Sequence, residues 1–110
     1  MDEEKLFDRF LTLPDGYQVQ LMVMGGRAGG GFYRSRIWLG HESESEPMLY
    51  RCQMHPEFRQ SVDACYSLML QSAPQVFGSA AALAAVQQYA HEYFQAGEPV
   101  EKHAVDMRTI

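Results

Sequence analysis

The chain is poor in the residues that make covalent or metal cross-links: Cys52 and Cys65 are its only cysteines in 110 residues. Two thiols make no disulfide framework of the kind that staples small secreted domains. Both fall on positions expected to face a core, so buried thiols are expected. Positive charge is also scarce, nine Lys and Arg against fourteen Asp and Glu, for a formal charge of −5. That balance opposes general attraction to nucleic acid or to an anionic membrane, because phosphates are held chiefly by excess Lys and Arg. No apolar run approaches the roughly 20 residues that span a bilayer. The start, Met1-Asp2-Glu3-Glu4-Lys5, lacks the basic and then apolar order of a secretion signal. A cytoplasmic protein without membrane contact is expected.

What is present is the composition of an ordinary globular domain, 46% hydrophobic and 21% charged, at a length that suits one domain over residues 1–110. So short a chain has little material to enclose a large substrate, which favours binding modules over enzymes.

Between Tyr17 and His55, three strand-like runs are separated by a glycine-rich stretch, Gly25 to Gly31, and an acidic one, Glu42 to Pro47. Tyr17, Val19, Leu21 and Val23 alternate with Gln18, Gln20, Met22 and Met24, the period of a strand with one buried face. In the second run Tyr33, Ser35, Ile37 and Leu39 alternate with Phe32, Arg34, Arg36 and Trp38. The third, Met48 to His55, places Met48, Tyr50, Cys52 and Met54 on one face and Leu49, Arg51, Gln53 and His55 on the other.

Upstream, Leu6, Phe7, Phe10, Leu11 and Leu13 fall at helical spacing behind an acidic start, and predict a short helix ended by Pro14-Asp15-Gly16. Downstream, Phe58, Val62, Cys65 and Met69 predict a helix from Glu57 to Ser72, stopped at Ala73-Pro74. Ser79 is the expected N-cap of another, Ala80 to Gln95. After Pro99, weak alternation through Val105 and Met107 suits either a short added strand or merely an extended end. The expected fold is therefore α+β: an antiparallel meander of three to four strands with helices packed on one face, in the order α-β-β-β-α-α.

Chemical motifs are few. A glycine-rich loop that cradles phosphate leads from strand to helix with a Lys at its start; Gly25 to Gly31 leads into another strand and has none. Cys52 and His55 point to opposite faces of one strand, poor geometry for a shared metal ion. No nucleophile-elbow pattern accompanies the four histidines. No cofactor is implied, and the balance leans against an enzyme.

The sheet face away from the helices carries the functional signal. Phe32, Arg34, Arg36 and Trp38, beside Arg51 and near Arg27 of the glycine loop, combine residue types that dominate protein-binding hot spots and that stack on bases. Glu42, Glu44 and Glu46 form an exposed acidic turn; were it extended, its carboxylates would align about 6.8 Å apart against a basic partner. The expected function is a small regulatory module that binds a protein partner or a second copy of itself as a homodimer. A nucleic-acid binder using Arg34, Arg36, Arg51 and Trp38 is the alternative, and a small enzyme or metalloprotein built on His55 and Cys52 the third reading.

In element order alone, the helix, three strands and helix resemble the double-stranded-RNA-binding domain. The Lys cluster that opens that domain's RNA-binding helix is missing, since the helix here opens at Glu57, and no membership follows. Size and acidity are similar to those of phage and plasmid inhibitors, anti-CRISPR proteins among them, which adds an inhibitor to the expected roles.

Overall fold

The structure, a computed structural model, describes residues 4–25, 31–96 and 104–106. It is a mixed α+β fold: β1 (Glu4–Thr12), β2 (Tyr17–Gly25), β3 (Tyr33–His41), β4 (Leu49–His55), α1 (Phe58–Val76), α2 (Ala80–Ala96) and β5 (Ala104–Asp106). The strands lie side by side in the order β4-β3-β2-β1-β5. The first four pair antiparallel as a meander, and β5 joins parallel to β1, Phe7 opposite Ala104.

The expected first helix is instead β1. Its apolar residues satisfy two periods at once. A register shift between Lys5 and Phe7 lets Leu6 and Phe7 both bury, after which Phe7, Arg9 and Leu11 point to the helices while Asp8, Phe10 and Thr12 point away. Pairing of eight β1 residues with the central β2 outweighs one amphipathic turn standing alone. With that strand in place the element-order resemblance to the RNA-binding domain lapses.

The core lies between the sheet and the two helices. Val19, Leu21, Val23, Ile37 and Leu39 are fully buried there, with Val62, Cys65, Tyr66 and Met69 from α1 and Val86 and Ala90 from α2. Ser35 completes the β3 face: its hydroxyl lies 2.6 Å from that of Ser61 and 2.7 Å from the Ser61 carbonyl. Arg9 enters this side too, donating from Nη1 to the Tyr66 hydroxyl at 2.8 Å. Tyr66 in turn stacks on Tyr93, ring centres 3.8 Å apart.

Helix α1 continues through Pro74 to Val76 rather than stopping before it. Proline at this point removes only one late backbone donor, and Phe77 N–H closes the end on the Ala73 carbonyl at 2.8 Å. α2 begins as expected: the Ser79 hydroxyl accepts from Ala82 N–H at 3.1 Å and also donates to the Asp15 carboxylate. Asp15 is held at φ 62° in the turn between β1 and β2, where His41 Nε2 donates to its carbonyl at 2.7 Å. Residues 26–30 of the glycine loop, Arg27 among them, and Met107 lie outside the described residues. No described helix is long and apolar enough to cross a membrane.

Candidate functional site

The two helices cover one face of the sheet; the other, uncovered by any described helix, still buries Asp8 and Met22 at its middle, 9% and 7% exposed. Register builds the uncovered face row by row. Phe10, Gln20, Trp38 and Tyr50 form one row across β1 to β4, and Asp8, Met22, Arg36 and Cys52 form the next. Met24, Arg34 and Met54 follow.

Arg34, Arg36 and Trp38 are thus brought together as expected, with all three partly buried. Trp38 meets Tyr50 edge to face at 6.0 Å, and Arg36 Nε donates to the Tyr50 hydroxyl at 3.0 Å. The indole N–H of Trp38 is buried without an acceptor among the described residues. Tyr50 was not singled out by sequence, yet it is the hub of this group; its place directly opposite Trp38 on an aromatic-rich face was the available signal.

Two expectations about β4 are overturned together. Ile37 pairs with Arg51 and Arg36 with Cys52, so Arg51 lies on the helix side of the sheet and Cys52 on the uncovered side, exposed rather than buried. A slip of one residue swaps every side chain between faces. β4 gave weak guidance on this because, as an edge strand, it is exposed from Tyr50 through Met54. Arg51 therefore does not extend the cationic face, and the basic surface required by the nucleic-acid reading is divided. Phe32 precedes β3 instead of belonging to it, and is 46% exposed.

The acidic turn is compact. Glu44 N–H donates to the His41 carbonyl at 2.9 Å and Glu42 N–H to the Gly16 carbonyl at 2.9 Å, so the carboxylates form no extended row. Glu42 folds over Gly16; a Cβ added there would come within 2.9 Å of its Oε2. Glu44 and Glu46 instead line a hollow of about 160 Å³ at the end of the uncovered face, shared with Phe10, Gln20, Trp38 and Gly40.

A second, open hollow of about 410 Å³ runs along the helix side of β4, lined by Gln53, His55, Asp63, Ser67 and Gln71 among others. His55 Nε2 is buried there without a partner among the described residues. Asp63 accepts from the Tyr93 hydroxyl at 2.8 Å and pairs with Arg59. The groups here can hydrogen-bond an extended backbone. Cys65 is sealed in the core, where burial pushes its thiol up to about 12. Among the described residues no three His, Cys, Asp or Glu side chains gather into a metal-binding group.

No family model, curated protein or solved structure matches the chain.

Proposed function

We propose that the chain is a non-enzymatic protein-binding module whose docking element is the β4 edge, and that the strand it takes is β4 of a second copy. The observation that carries this reading is the unguarded edge. β4 is seven residues long, contains neither Pro nor Gly, carries Arg51 as its one formally charged residue, and is exposed on both faces along its middle. Sheet proteins that stay monomeric blunt such an edge with Lys, Pro, bulges or cover. Antiparallel pairing about a two-fold axis closes it with one self-complementary contact.

Full overlap of Leu49–His55 puts Cys52, the middle residue, opposite itself. Arg51 of one copy then lies beside Gln53 of the other, over the hollow that holds Asp63. Tyr50 and Met54, 42% and 54% exposed, meet across the uncovered face. Backbone hydrogen bonds give the affinity and these flanking side chains the register.

Sedimentation of the purified chain tests the reading. A concentration-dependent monomer–dimer equilibrium is expected, and Cys52→Glu, which sets two like charges face to face, should weaken it by about tenfold or more. Directly opposed residues in an antiparallel pair have Cα atoms about 4.5–5.5 Å apart, within disulfide range. Diamide should therefore link the wild-type dimer through Cys52. A chain that stays monomeric to millimolar concentration would overturn the proposal.

A further inference from the structure

The hollow at the acidic end of the uncovered face lies on the β1–β3 side, away from the β4 edge. Its making is specific. In the row after Phe10-Gln20-Trp38, β3 contributes Gly40 opposite Gln18, so the sheet surface drops where every other position of that face carries a side chain. The turn then folds back above the gap, and a Cβ added at Gly40 would meet the Pro47 Cα at an ordinary 3.8 Å. Phe10 and Trp38 supply aromatic walls, and Glu44 and Glu46 supply a carboxylate rim. Among the described residues no Lys or Arg lines the hollow, and neither rim carboxylate enters an ion pair there. Asp8, on the same face, differs: it already accepts from Lys5 at 3.0 Å and from Gln20 at 3.1 Å.

Size narrows the ligand. About 160 Å³ falls below the roughly 300–1,000 Å³ of sites for cofactors and drug-sized molecules, and suits one long side chain. Aromatic faces attract a cation that carboxylates also attract, and an apolar stem can lie along the rings while its charged head stays at the rim.

We propose that this hollow is a subsite for one basic side chain, Lys or Arg, of a second protein bound in extended form. It rests on the protein-binding reading for the source of that side chain, and goes beyond it in naming the chemistry recognised. Trp38, the chain's only tryptophan, reports occupancy directly by its fluorescence.

The probes are the N-acetyl, N-methylamide derivatives of lysine, arginine and norleucine, together with n-butylamine. Lysine and arginine derivatives should shift Trp38 emission saturably, and should move the amide resonances of Gln20 and Gly40, at concentrations about tenfold or more below those the norleucine derivative needs. Glu44→Gln/Glu46→Gln should erase that preference while leaving the urea midpoint and the monomer–dimer equilibrium unchanged. Gly40→Ala, which the geometry accommodates, should weaken all the peptide-like probes alike. Equal binding of norleucine and lysine derivatives would overturn the cationic assignment. Butylamine as strong as the lysine derivative would overturn the peptide assignment, and no saturable response at Trp38 would overturn the subsite itself. A lysine-selective monomer fails only the edge reading, whereas an unselective dimer fails only this one.

Discussion

Single residues carry polar contacts that the apolar pattern does not announce. Ser35 and Ser61 meet at the middle of the β3–α1 packing, both sealed from solvent. Replacing Ser35 by Ala leaves the Ser61 hydroxyl in the core without that partner, which should cost about 1–3 kcal/mol, whereas Ser35→Ala/Ser61→Ala together should cost less than the sum of the single changes. A double-mutant cycle from urea denaturation reads the coupling directly, and additive losses would show that the two hydroxyls act independently. Sequence marked Ser35 as core-facing, because its parity on β3 is unambiguous. It could not supply Ser61, since only the packing of helix on sheet decides which α1 residue arrives there. Tyr50 was hidden for a related reason: pairing with Trp38 is a fact of register between strands.

Elements were readable where one period dominates. β2 and β3 alternate strictly and lie where the alternation puts them, and the start of α2 follows from Ser79. β1 was misread because Leu6, Phe7, Phe10 and Leu11 satisfy a helix as well as a bulged strand, and the bulge conceals the two-residue period. β4 was placed with the wrong parity because an edge strand exposed on both sides has no clear apolar face. The cap of α2 is more than a local signal. Ser79 Oγ both accepts from Ala82 N–H and donates to Asp15, so it joins the helix to the turn between β1 and β2. Ser79→Ala should therefore cost about 1–2 kcal/mol, the upper end of what an N-cap contributes. It should also raise amide exchange in Asp15 and Gly16 as well as in the first turn of α2. Exchange confined to α2 would mean that the link to the turn holds nothing.

Across the whole molecule, the helix–sheet interface keeps several acidic protons from leaving. Burial raises the thiol of Cys65 from 9.0 to about 12 and raises the phenols of Tyr66 and Tyr93 above their ordinary 10.0, chiefly by desolvation. In each case the unfolded chain releases its proton at lower pH than the folded one, so the folded state binds more protons in that window and stability must fall as pH rises. Loss should begin near pH 9 through Cys65 and steepen above pH 10 as the tyrosines join. Each group contributes a slope of up to about 1.4 kcal/mol per pH unit; half-exposed Tyr93 contributes less because solvent screens it. Urea midpoints measured across this range check the expectation, and Cys65→Ser, titrating far higher, should delay the onset. A flat profile to pH 11 would show that these groups do not ionise on unfolding as described.

The arrangement of β5 sets a timetable for the chain as it is made. Each antiparallel pairing joins neighbours in sequence, so β1 to β4 can assemble in the order they leave the ribosome. β1 then waits, one flank bare, until Ala104–Asp106 arrives to lie parallel beside Phe7, Asp8 and Arg9. Both helices are synthesised before that contact can close. During this interval the nine-residue β1 rather than the three-residue β5 is the sheet's second margin, and the hazard of joining a neighbouring chain wrongly is greatest. Slowing synthesis between α2 and β5 should accordingly increase aggregation.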